Sequence, residues 1–219
     1  MPRVLAVADE VEPALWTGSV HRYDDVDLVL AAGDLPFDYI DHIASTLGLP
    51  CVLVPGNHDA DLAGFRNRSG VWYRDGMPAE WPGPPEAVNA DGRVVRAAGL
   101  RIAGLGGCVR YRPGPNQWTQ AHQSRRAWLL RIRAALGGGG VDIVLTHAPP
   151  RHCGDREDPA HHGFECLHGL VRALRPALLV HGHIHPFGMP VPDRRLGDTL
   201  VVNVVGHRVL DLGRVRDAA

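Results

Sequence analysis

The sequence predicts an α/β sandwich in four layers, with two mixed β-sheets stacked face to face and helices over their outer faces. Three observations lead there. Short apolar, β-branched runs recur along the chain, as at 27–32 (DLVLAA) and 141–146 (VDIVLT), each continuous enough to be buried on both sides. Segments of helical periodicity lie between several of these runs. The runs end on polar residues such as Asp9, Asp34, Asn57 and His147, and open α/β sheets build their sites at strand ends of that kind.

The elements follow in order. Strands are expected at 3–8, 27–32, 51–54, 141–146 and 177–180. Residues 36–48 carry Phe37, Ile40, Ile43, Ala44 and Leu47 at near-helical spacing, and Gly48 stops them. A second helix spans 120–136, capped by Thr119, with Trp128, Leu129, Ile132 and Leu136 as its expected packed side and arginines opposite. Glycines 137–140 end it and lead flexibly into the next strand. A third helix is expected at 165–174, stopped before Pro176. Residues 75–92, with Pro78, Pro82, Pro84 and Pro85, read as an irregular loop. A hairpin at 93–97 and 100–105 turns at Gly99, and a final antiparallel pair at 200–204 and 207–212 turns at Gly206.

The chain has 219 residues, 45% hydrophobic and 21% charged, which suits one domain over 1–219 and excludes wholesale disorder. Lys and Arg total 23 against 24 Asp and Glu, so no global charge favours a nucleic-acid or acidic-membrane partner. No apolar run reaches the roughly 18 residues of a transmembrane helix. The opening MPRVLAVADE lacks the features of a secretion signal. Cys51, Cys108, Cys153 and Cys166 show no paired spacing and read as free thiols in a reducing, cytoplasmic setting. Histidine is the outlier, with 13 residues, eight of them from His147 to His185.

Asp9, Asp34, Asn57, His147, His183 and His185 form the informative set. Carboxylates, an amide carbonyl and neutral imidazoles together suit one or two divalent ions of middling hardness: Mn, Fe, Zn or Co. Asp34 is the candidate bridge between two ions that share and activate a hydroxide. His58, next to Asn57, lies near the ions without ligating them and can protonate a leaving oxygen or bond to a phosphoryl oxygen. Asp59 either joins it in catalysis by holding the imidazole, or caps the next helix.

The motifs Asp9, Gly33-Asp34, Gly56-Asn57-His58-Asp59, His147 and Gly182-His183-Ile184-His185 resemble the calcineurin-like metallophosphoesterases. The resemblance runs from residue 3 to about residue 212. It implies the same two-sheet sandwich with a dinuclear centre at the sheet edge. By resemblance, Asp34, Asn57, His147 and His183 hold one ion, Asp9, Asp34 and His185 hold the other, and His58 is the catalytic histidine. The first motif departs from the family's Asp-any-His: it reads Asp9-Glu10-Val11. Valine has no lone pair, so three outcomes stay open. Both ions bind, one weakly; only the four-ligand ion binds; or the centre is a relic in a non-catalytic, metal-binding regulatory protein. Water can fill the gap at a cost in affinity, and Glu10 or Glu12 could compensate, although neighbours along a strand end usually point apart.

The loop after His147 and the Pro186-Phe187-Gly188 and Val202-Asn203-Val204 segments resemble the family branch of small cyclic-nucleotide-type phosphodiesterases. That implies a small-molecule phosphodiester, with a phosphomonoester or a nucleic acid as the alternatives. Candidate substrate contacts are Arg110, His152, His161 and His162. Arg110 and Arg112 flank Tyr111, where they either meet a phosphate, stack on a base or lie solvated. Cys153 lies near His152 and Asp155, but a thiol nucleophile needs geometry rather than proximity in sequence. Trp72 and Trp81 either line a cleft or anchor the proline-rich loop.

Overall fold

The computed structural model describes residues 2–186, 188 and 191–217, so Phe187 of the second branch segment lies outside the described residues. Two sheets stack as expected. The first runs in the order Gly206–Asp211, Arg3–Ala8, Leu28–Ala31, Cys51–Leu53, Ala87–Asn89, parallel except for its first pair. The second runs Arg194–Leu196, Thr199–Asn203, Leu178–His181, Ile143–Thr146, Leu100–Leu105, Val94–Ala97, with a parallel centre and antiparallel edge pairs.

Each strand divides its side chains between two cores because successive residues point to opposite faces. Val4, Ala6, Ala8, Leu28, Leu30 and Val52 meet Ile102, Ile143, Leu145, Leu178 and Val180 between the sheets. Leu5, Val7, Val29 and Leu53 instead face Tyr39, Ile40 and Ile43 of helix Phe37–Leu47. On the far side, Leu105, Val144, Leu179 and Val201 face Leu130, Leu167, Leu170 and Leu174 from helices Gln120–Leu136 and Cys166–Leu174. The doubly buried apolar runs read from the sequence are thus the strands of a helix–sheet–sheet–helix stack. Gly48 ends the first helix with a left-handed φ of 63°, and the Thr119 hydroxyl caps the next at the His122 amide. All four cysteines are free. No helix among the described residues is long and apolar enough to cross a membrane.

Three expectations are corrected. First, 200–204 and 207–212 are not a hairpin. Thr199–Asn203 pairs parallel with Leu178–His181, whereas Gly206–Asp211 crosses to pair antiparallel with Arg3–Ala8 in the other sheet. Each strand thereby joins a buried neighbour, and Val204 fills the space between the sheets. Second, 75–92 is not all loop. Met77–Pro78 closes a three-stranded meander with Arg66–Arg68 and Val71–Arg74, and Ala87–Asn89 forms an edge strand. Its prolines precede that edge strand, where their missing donors do no harm. Trp81 stacks on Trp72 at 4.2 Å and packs on the core, so the pair anchors this segment.

Third, helix Gln120–Leu136 buries a different face. Gln123, Ala127, Leu130 and Ala134 are inside, while Trp128, Ile132 and Leu136 are exposed. Polar anchors set the rotation. Buried Gln123 donates to Gly106 O at 3.2 Å, and Arg126 binds Asp91 while lying 4.5 Å over the Trp118 ring. The two small alanines then allow close approach to the sheet. Leu130→Ala is expected to lower unfolding free energy by about 2–4 kcal/mol, and Leu136→Ala by less than about 0.5, in urea titrations. Equal effects would contradict the observed face.

Candidate metal centre

The carboxyl ends of parallel strands from both sheets meet along one edge. Asp9 follows Arg3–Ala8, Asp34 follows Leu28–Ala31, and the Gly56–Asp59 turn follows Cys51–Leu53. His147 follows Ile143–Thr146, and His183 and His185 follow Leu178–His181. Asp9, Asp34 and His183 have left-handed φ values of 61°, 57° and 68°. That conformation costs about 1–2 kcal/mol per non-glycine residue and persists only where the surroundings over-determine it. Close approach needs glycine at two neighbouring positions. A Cβ on Gly56 would lie 2.0 Å from Asp34 Oδ1, and one on Gly182 would lie 2.2 Å from Asp9 Oδ2.

Asp34, His147 and His183 each offer a ligand atom, all within 4.8 Å of one another. His147 Nδ1 donates to Ala32 O at 2.7 Å, which turns Nε2 towards Asp34 Oδ2 at 3.3 Å and Asn57 Oδ1 at 3.1 Å. His183 Nε2 donates to Ala160 O at 2.8 Å, leaving Nδ1 for the centre. Two oxygens and two imidazole nitrogens, each ring oriented by a backbone carbonyl, are a donor set that fits a divalent transition ion.

The electrostatics agree with that fit. Burial alone would lower the His147 pKa, but the adjacent Asp34 carboxylate, with help from Asp9, raises it to about 9. Burial would raise Asp34, but His147 and the His58 amide outweigh it and hold the carboxyl below its ordinary range. Burial and the His147 charge push His183 down to about 3, so it is a neutral ligand at pH 7.

A second cluster lies beside the first. Asp9 Oδ2 accepts the His183 amide at 2.9 Å, and Asp9 Oδ1 lies 3.8 Å from His185 Nε2. His185 Nδ1 contacts Glu10 Oε1 at 3.0 Å. Glu10 therefore reaches the site despite its place beside Asp9, where it orients His185. Val11 is 44% exposed and supplies no donor. Glu12 turns elsewhere, to the Ala14 amide and towards His207.

The remaining candidates separate. His58 is exposed at this edge, and its amide donates to Asp34 Oδ1 at 2.8 Å. Asp59 neither caps a helix nor, among the described residues, hydrogen-bonds to the His58 ring. Its Oδ2 instead accepts the Asp34 amide at 2.9 Å and the Gly56 amide at 2.7 Å, clamping two ligand-bearing turns together. Burial raises its pKa to about 6. His161 lies against His183, ring centroids 5.3 Å apart, and bonds to Asp158 at 2.7 Å. His162 turns to Glu157 O, His152 faces Glu157, and Arg110 is tied to Gln117 O. Cys153 is buried with its thiol pKa raised, which does not suit a nucleophile.

Sequence reasoning missed the supports. Asn116, at a left-handed φ of 51°, donates to Gly56 O at 2.8 Å and Asp59 O at 3.1 Å. Asn203 donates to Ile184 O, and Arg156 to His185 O, so the Gly-His-Ile-His turn is held from two sides. An asparagine after Pro-Gly-Pro was a visible sign of a left-handed turn. Its target was not.

The chain belongs to the calcineurin-like phosphoesterase family, whose model matches residues 3–187. It is thus a member of a family of metal-dependent phosphoesterases. An uncharacterised protein of Haemophilus influenzae is 27% identical over 184 residues, covering 76% of this chain and 75% of its own. The crystal structure of TT1561 of Thermus thermophilus superposes with a TM-score of 0.67 at 17% identity, covering 98% of this chain and 96% of that one. Another crystal structure gives 0.65 at 16% identity, over 98% and 96%. At those identities the two structures establish the shared fold alone.

Two outcomes follow from the geometry. Gly56→Ala is expected to abolish metal retention, measured by elemental analysis, while Gly169→Ala, with no atom within 4 Å of the added methyl, leaves it unchanged. With the metal-free His147 pKa at about 9, an ion displaces a proton at pH 7. Calorimetry in buffers of different ionisation enthalpy should show release of about one proton, and affinity should rise with pH up to about 9 by as much as about tenfold per unit. Affinity independent of pH would contradict it.

Proposed function

We propose that this chain hydrolyses a small organic phosphodiester at the shared sheet edge. In this reading Asp34, Asn57, His147 and His183 hold one divalent ion and Asp9, Asp34 and His185 hold a second, weaker one. The carrying observation is the convergence of Asp34, Asn57, His147 and His183, with both imidazoles oriented by backbone carbonyls. Mn, Fe, Zn and Co all suit the donors. When bound, the ions supply Lewis acidity for the attacking water and neutralise phosphoryl charge.

This chain's own residues do the rest. Asp34 has one oxygen at His147 and the other at the His58 amide, a placement that suits a bridging carboxylate. His58 is fixed through its backbone while its ring faces solvent, so it can donate to a leaving oxygen or bond to a phosphoryl oxygen. His161 is the best placed of the four candidate substrate contacts. A diester is favoured over a monoester or a nucleic acid by the branch resemblance and the near-zero net charge.

A second reading rests on Val11: with no donor there, the outer site is poor in ligands and the protein is a metal-dependent regulatory binder. Chelation followed by Mn addition separates the two. The enzyme reading expects turnover of an aryl phosphodiester to vanish and return, and His58→Ala to lower kcat by about 10²–10⁴ with metal content retained. Metal uptake without turnover of any phosphoester supports the binder. Parallel loss of metal and activity in His58→Ala would remove the proposed role of His58.

A further inference from the structure

A cavity of about 620 Å³ opens at the end of the second sheet remote from the metal centre. Val141, Ala177 and Thr199 line it, and each lies just before a strand of that sheet or at its first residue. His147 and His183 instead follow the last residues of two of those strands. Strand Leu178–His181 alone separates the two ends by roughly 13 Å. None of the proposed ion ligands lines the cavity.

One wall is a helix face. His168, Val171, Arg172 and Arg175 recur at three- and four-residue steps along and just past helix Cys166–Leu174, so they share one stripe. The opposite wall is the turn between Arg194–Leu196 and Thr199–Asn203, with Leu196 and Asp198. The walls are tied together. Thr199 Oγ1 donates to Pro176 O at 2.6 Å, and Leu200 N donates to Ala177 O at 3.0 Å. His168 Nε2 donates to Arg151 O at 2.7 Å, which fixes its ring. The cavity is thus preformed.

Its chemistry is divided. Val141 and Val171 are buried and Leu196 packs on the same core, giving an apolar floor. The rim is cationic. Arg172 and Arg175 are exposed, and among the described residues neither guanidinium has a hydrogen bond or ion pair. Asp198 is the one acid among the lining residues, so the two arginines outweigh it. Arg175 carries a further signal. It caps the helix at a left-handed φ of 51°, where glycine is preferred and where helix Phe37–Leu47 has Gly48. A β-carbon there works against the backbone. A local rule is broken at the cavity rim, and the gain is a guanidinium at that spot.

We propose that this cavity is a second binding site, for a small organic anion whose apolar body lies on Val141, Val171 and Leu196 while its oxyanion group pairs with Arg172 and Arg175. The site stands whatever the metal centre hydrolyses, because the two share no residue.

Calorimetry on Mn-loaded protein supplies the test. The probes are naphthalene-2-sulfonate, its neutral counterpart methyl 2-naphthyl sulfone, and methanesulfonate, which has the charge without the rings. Naphthalene-2-sulfonate is expected to bind at least about tenfold more tightly than either of the others. Arg172→Ala and Arg175→Gly should each weaken it about tenfold and leave the sulfone within about twofold. Arg131→Ala, at an exposed arginine of helix Gln120–Leu136 outside the lining, should change nothing. Chelation of Mn should leave the affinity within about twofold, as expected of separate sites. Arg175→Gly should also raise the urea midpoint of unfolding, because glycine relieves the left-handed cap. Equal affinity for the sulfonate and the sulfone, unchanged affinity in either cavity variant, or an equal loss in Arg131→Ala overturns the site. Binding that disappears with Mn places the probe at the metal centre and also overturns it. A lower urea midpoint in Arg175→Gly, with binding lost, makes Arg175 a structural cap and overturns its role as a ligand.

Discussion

Asp34 and His147 sit at the ends of strands from different sheets, yet their side chains meet at 3.3 Å with exposures of only 9% and 0%. A buried charge without a partner would be strongly destabilising. Each of these groups therefore depends on the other, and both depend on the two sheets stacking with these strand ends opposed. The bond from His147 Nδ1 to Ala32 O ties the sheets together at the same place. The core between them accommodates this. Along Arg3–Ala8 its residues run Val4, Ala6, Ala8, and along Leu28–Ala31 and onwards they run Leu28, Leu30, Ala32, so side chains shrink towards the site. Smaller residues there let the sheets come close enough for side chains from each to share one ion-sized space.

Strain and support are concentrated at the same edge. Three of the six proposed ligand residues adopt left-handed backbone, which sharply redirects the chain where each strand ends. Each turn is then held by groups that never face a ligand. Asp59 clamps the Asp34 and Gly56 amides, Asn116 clamps the Gly56 and Asp59 carbonyls, and Asp91 takes the Gly106 amide while pairing with Arg126. These polar contacts lie largely out of water, where an unmade bond is expensive. They explain how strained turns can stay ordered.

The centre is asymmetric. The inner cluster is buried and has oriented donors; the outer one is more open, and its His185 leans on an exposed carboxylate at Glu10. Val11, beside that cluster in sequence, offers no donor atom. In the proposed two-ion reading the outer ion is the weaker one, since water competes better where protein donors are fewer.

The parallel strands, the three main helices, the Gly99 hairpin and the meeting of Asp34, His147 and His183 were legible in the sequence because each has a local cause. Doubly buried strands must be continuous in apolar character, caps and glycines mark helix ends, and ligand chemistry shows in residue type. What pairing and packing decide was not legible. Thr199–Asn203 and Gly206–Asp211 look like a hairpin locally, but buried neighbours claim them for separate sheets. The inward face of Gln120–Leu136 followed from where Gln123 and Arg126 found partners, not from its larger apolar residues. Asp59 could be read as part of the chemistry, and only the fold shows it holding two backbone amides. The sequence alone determined which groups exist and that strand ends carry them. Tertiary structure decided which of them meet, because hydrogen bonds and ion pairs act over a few ångströms between residues far apart along the chain.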